Sequence, residues 1–214
     1  MEEEDIKKEL YSSHLHSAKG SILDPALKSL NCFQFVAHVL KQHPSWWETI
    51  SALHDEIQKG LPVEHQYFMP IPYHYSLIAV GLENKTLVSS SLSAVPLKEA
   101  RSGDILVYIG LEYNPDVSMM KEPGKGTHVA FINDVMGMDQ SGISLRLIDA
   151  SCRRKKRYTD PLNPEKSQLL DSNLGYSKAI LTPSKTHKDL WVYDTPGLRK
   201  MIKKVSVLRF MKDT

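Results

Sequence analysis

Cysteine is scarce in this chain, and that scarcity excludes two classes of protein. Two cysteines, Cys32 and Cys152, in 214 residues cannot build a disulfide framework, and with no CxxC pair they cannot form a zinc module. No apolar run reaches membrane-spanning length. The opening "MEEEDIKKEL" lacks the apolar stretch of a signal peptide, which leads us to expect a cytoplasmic protein or one exported by a leaderless route. Net charge is only +2, too little to imply nucleic acid as a partner. Internal repeats and low-complexity tracts are missing too. With 41% hydrophobic and 24% charged residues, the chain has the make-up of one generous globular domain whose core needs no staples.

What is present falls into two halves. Residues 1 to about 20 read as a polar helix and then a loop ending at Gly20. In "CFQFVAHVL", Phe33, Val36, Ala37 and Leu40 share one face at helical spacing, and Phe35 and Val39 extend it, so this helix is buried. Pro44 stops it. A second helix follows in "SWWETISALHDEIQKG", with Ser45 as N-cap and Gly60 as stop. Prolines at 62, 70 and 72 and the run "SSSLS" mark about 61–99 as a loop-rich insertion that could hold a short helix. Beyond it, "GDILVYIG", "THVAFINDV", "ISLRLIDAS", "YSKAILTP", "LWVYD" and "KVSVLRFM" read as strands. Helices first and strands afterwards, without βαβ alternation, predict an α+β fold. N-terminal helices would pack on an antiparallel sheet of five to six strands, or a partial barrel, in one domain spanning 1–214.

Cys32 stands where the buried helix begins. A helix N-terminus stabilises a thiolate through its unpaired N–H groups and dipole, so Cys32 is either a small core residue or a nucleophile. A nucleophile needs a base, and the base needs a third group to orient it. Of the nine histidines, His38 lies on another face of the same helix. His14, His16, His43, His54, His65, His74 and His187 sit in helices or loops without a supporting pattern, most of them expected to be solvated. His128 differs: it opens an apolar strand directly after "GKG". Asp149 ends the next strand, and in an antiparallel hairpin those two positions are neighbours. An Asp there would fix the histidine tautomer, a role Ser151 or Asn133 could also fill. Asn31 and Trp191 are candidate substrate contacts. Cys152 lies beside "RRKKR", which would lower its pKa, but no helix or histidine motif follows and it reads as a strand-end residue. The basic run reads as a solvated loop, or as a surface for an acidic substrate or membrane. Trp46-Trp47 reads as packing. No carboxylate or cysteine cluster supports His14 and His16 as metal ligands, and nothing implies a cofactor.

The segments "LNCFQFV", "GDILVY", "THVAFI" and "LIDAS" stand in an order that resembles the NlpC-type cell-wall peptidases, of the papain-like cysteine peptidase superfamily. The resemblance runs from about residue 28 to 151. It implies a papain-like fold and a Cys32–His128–Asp149 triad acting on a peptide or isopeptide bond of the bacterial cell wall through an acyl-enzyme. Acyl transfer on the same fold, or a non-catalytic binding module with a basic surface, are the alternatives. Asn31 stands where the family has Asp, and Phe33-Gln34 replace a small Ser-Gly pair. Family members carry a tyrosine shortly before the cysteine, whereas Tyr11 stands far upstream, which leaves the Cys32 N–H as the oxyanion donor.

Overall fold

The buried helix begins at Asn31, whose extended backbone and short side chain suit it to cap. In the computed structural model, which describes residues 15–22, 24–109, 127–150, 174–185, 190–194 and 201–211, the Asn31 side chain accepts the Gln34 N–H at 3.0 Å. Gln34 returns the bond, its Oε1 accepting the Asn31 N–H at 3.1 Å. This reciprocal capping box starts α2, Cys32–Lys41. It follows a short helical stretch, α1, at residues 15–21. Pro44 does more than stop α2: it occupies the first turn of α3, Pro44–Gln58, whose N-cap is His43 rather than the expected Ser45.

The segment 61–99, expected to be loop-rich, contributes to the core. It holds α4, Pro72–Glu83, and β1, Leu92–Val95. Pro72 starts α4 instead of breaking it, and ten successive residues from Pro72 to Gly81 are buried. A helix buried on every side shows no apolar stripe, so periodicity could not reveal it. His54 and His74, expected among the solvated histidines, are buried as well.

Seven antiparallel strands follow, where five to six were expected; β1, in the Ser-rich run, is the addition. The others are β2 (Ile105–Ile109), β3 (His128–Asp139), β4 (Gly142–Ala150), β5 (Leu174–Pro183), β6 (Trp191–Asp194) and β7 (Met201–Phe210). They lie in the order β1-β7-β2-β3-β4-β5-β6, and β6 also pairs with β7. Six strands thus close on themselves, with β6 on the first residues of β7 and β1 on the last. The fold is α+β: four helices and one antiparallel sheet.

Alternation along the strands divides the core in two. Val129, Phe131, Ile148 and Ala150 face the helices and join Phe35, Val36, Val39, Leu40, Ile50 and Tyr75. Leu106, Tyr108, Ala130, Ile132, Leu145, Leu147 and Tyr193 fill the other face, inside the closed sheet. Phe35 meets Phe131 edge-on at 5.8 Å and 88°, an arrangement worth about 0.5–1.5 kcal/mol beyond the area it buries. That contact pins α2 to β3.

The "GD" before β2 also has a structural job. Gly103 adopts φ 95°, a left-handed turn that suits glycine, and its N–H donates to the Ile132 carbonyl at 2.7 Å. Asp104 is then buried and accepts from Arg209 of β7 through Nε at 2.9 Å and Nη2 at 2.7 Å. Burial pushes its carboxyl above the ordinary value, and the bonds from Arg209 and the Arg101 backbone pull it back.

Candidate active site

His128 enters the site because β3 begins there. Its backbone registers with Tyr108 of β2, and its ring lies nearly parallel to the Tyr108 ring, 5.9 Å away at 12°. Tyr193 of β6 meets Tyr108 edge-on at 4.8 Å. The imidazole therefore stands at the mouth of the closed sheet, on the face carrying Tyr108 and Ala130 and not the face carrying Phe131.

Asp149 comes from the neighbouring strand. Phe131 pairs with Ile148, which brings Asp149 diagonally beside His128 on the same face. His128 Nε2 lies 2.7 Å from Asp149 Oδ2. A carboxylate only accepts, so Nε2 carries the proton and Nδ1 is the nitrogen with basic character. The second carboxylate oxygen accepts from Ser177 of β5 at 3.1 Å. Asp149 is fully buried, while the His128 side chain keeps 14% of its surface exposed. A buried, doubly bonded carboxylate holding a ring that still reaches solvent is the arrangement expected of an oriented base.

Cys32 occupies the first turn of α2, half-buried against the helix-side core. In its own element it lies one turn before Phe35, as His128 lies three residues before Phe131; both stand N-terminal to the contact joining α2 to β3. Cys32 is the first residue of α2, directly after the capping Asn31. Nearby is a group that the sequence reading missed. Tyr75 of α4 is fully buried, and its hydroxyl has no hydrogen-bond partner among the described residues. Burial raises its phenol pKa well above the ordinary range, and the Cys32 charge adds to the shift, which places the two groups within electrostatic reach. Only the all-round burial of α4 could have drawn attention to Tyr75.

The structure shows what the remaining candidate residues contact. Asn31 caps α2, with its Oδ1 accepting from Gln34. This accounts for Phe33-Gln34 as well: Gln34 is the second half of the capping box, and Phe33 packs against the helix-side core. Trp191 sits in β6, half-buried against the interior cluster, and the ring of that strand which reaches the aromatic partner of His128 is Tyr193. Asn133 lies at a bulge of β3 and is not the histidine's partner. His38 bonds Gln42 at 3.0 Å. Ser151, Cys152, the basic run 153–157, Tyr11, His14 and His187 lie outside the described residues. Among the described residues, His, Cys, Asp and Glu form no group of three or more able to hold a metal ion, and no helix is long and apolar enough to cross a membrane. Comparison with family models, curated proteins and solved structures gives no match.

Proposed function

We propose that the protein is a cysteine hydrolase acting on an amide bond, with Cys32 as nucleophile, His128 as base and Asp149 as the group that orients it. One observation supports the reading: the buried 2.7 Å bond between His128 Nε2 and Asp149 Oδ2, which leaves Nδ1 as the basic nitrogen, turned away from the carboxylate. The capped start of α2 under Cys32 supports it. The thiol and the ring would meet across the rim where β3 begins, since Cys32 belongs to the helix-side core and His128 to the opposite face of the sheet.

In this scheme His128 takes the Cys32 proton and the thiolate sulfur bonds to the amide carbonyl carbon. The Cys32 N–H and the Tyr75 hydroxyl stabilise the oxyanion. As the C–N bond breaks, His128 returns the proton to the leaving amine. Water, deprotonated by His128, then releases the acid and restores the thiol. The resemblance to NlpC-type peptidases, in a papain-like fold, suggests peptide or isopeptide bonds of the bacterial cell wall as substrate.

Cell-wall peptides with isopeptide links, incubated with the protein and followed by mass spectrometry for newly freed amines, test the reading. Release should be lost in Cys32→Ala and fall sharply in His128→Ala. Release equal in Cys32→Ala and the parent protein would remove Cys32 from the chemistry.

A further inference from the structure

We infer that the buried pair His54–His74 is a proton-sensitive latch fastening the segment 61–71 to α3 and α4. The hydrogen bonds fix every proton in it. His74 Nε2 lies 3.1 Å from the His65 carbonyl oxygen, which can only accept, so Nε2 carries the hydrogen. His74 Nδ1 is then an acceptor, and it receives the Ile71 N–H at 3.3 Å and His54 Nε2 at 3.2 Å. His54 must therefore carry its hydrogen on Nε2. Its Nδ1 accepts from the Gln58 amide at 3.4 Å. Both rings are neutral in this chain of bonds, and neither has room for a second proton without a donor facing a donor.

The same residues hold the segment. His65 supplies the carbonyl bound by His74, and the Tyr67 ring rests against His74 at 5.6 Å. The Tyr67 N–H donates to Gln58 Oε1 at 2.6 Å, and Gln66 donates to the Leu61 carbonyl at 2.9 Å. A proton on His74 Nδ1 would oppose the His54 and Ile71 donors together. A proton on His54 Nδ1 would require Gln58 to turn its oxygen inward, giving up Tyr67.

The ionisable groups around the pair pull in different directions. His65 and the partner histidine disfavour charge on His74, and Tyr67 and Tyr73 enclose its ring without a compensating anion. Asp55, 3.9 Å from His54 Nδ1 and exposed, favours charge on His54. Burial lowers both histidines, and His74 falls from 6.5 to about 4. If release of the segment restores 6.5 to His74, lowering the pH from 7.5 to 5 shifts the latched-to-released ratio about thirty-fold towards release.

Amide hydrogen exchange on the full chain, corrected for intrinsic rates, tests this across pH 7.5 to 5. Protection in 61–71 should fall about thirty-fold and stay insensitive to low denaturant, as a local opening does while α2 and β3 exchange through denaturant-sensitive global unfolding. A His54→Gln, His74→Gln double variant should lose that pH dependence. Ring carbon NMR of the parent protein, which does not depend on the variant folding, should show His74 neutral at pH 5.5. Protection in 61–71 that does not change with pH, exchange there that follows the denaturant dependence of α2 and β3, or a His74 ring titrating near 6.5 would each overturn the latch.

Discussion

At the scale of single residues, the proposed chemistry turns on the orientation of one ring. Asp149 keeps the hydrogen of His128 on Nε2, and Ser177 steadies the carboxylate from the other side. Removing the base should lower the rate of amide cleavage by about a hundredfold to ten-thousandfold in His128→Ala, with little change in KM. Asp149→Ala should act in the same direction with a smaller loss, because the ring remains but its tautomer is no longer imposed. Steady-state kinetics on the two variants, with circular dichroism to show that each folds, check both outcomes. This pairing was legible in the sequence because a strand-opening His and a strand-ending Asp straddle one hairpin. Tyr75 was not legible, since nothing in a linear reading distinguishes a phenol that lacks a partner from one that has found its own.

At the scale of elements, α2 is a mount fixed at two points, the capping box and the Phe35–Phe131 contact. Asn31→Ala should cost about 1 kcal/mol, measured as a shift in the urea midpoint. If the cap also positions the thiol, the same substitution should slow Cys32 alkylation, whereas Gln42→Ala at the far end should leave that rate alone. The alternating patterns of β2 to β5 and the apolar period of α2 made these elements readable. The failures have definite causes. The prolines that suggested a loop in 61–99 include Pro72, which begins a helix, and β1 is four residues long in a Ser-rich stretch. Phe33-Gln34 looked anomalous only until Gln34 was seen bonded to Asn31.

At the scale of the whole molecule, one buried ion pair ties the turn before β2 to the last strand. Arg209→Met would leave the Asp104 charge buried without its partner and should cost about 3–5 kcal/mol; a double replacement of Asp104 and Arg209 by apolar residues should recover much of that. Chemical denaturation of the single and double variants measures the difference. The buried histidines add a pH dependence of definite sign. Unfolded, His74 binds a proton near its ordinary 6.5, and folded only near about 4. The unfolded state therefore holds more protons in that interval. Stability contributed by His74 is complete above about 6.5 and is lost progressively as the pH falls to about 4. His54, also lowered by burial, adds in the same direction, so melting temperatures should fall from pH 7 to pH 5 and fall less in His74→Gln. The α+β order was readable at this scale from helices preceding strands. The closure of the sheet was not, because it depends on β6 and β1 sharing one edge of β7, a pairing between distant segments that no local pattern encodes.

The proposed coupling of Cys32 to His128 is tested most directly by the rate of Cys32 alkylation as a function of pH, read by mass spectrometry of the Cys32 peptide in a Cys152→Ser background. The triad predicts that Cys32 reacts rapidly well below the ordinary thiol value of about 8.5, and that His128→Ala returns the profile to a single titration near that value. Superimposable profiles for the two proteins, both following an ordinary thiol, would contradict it.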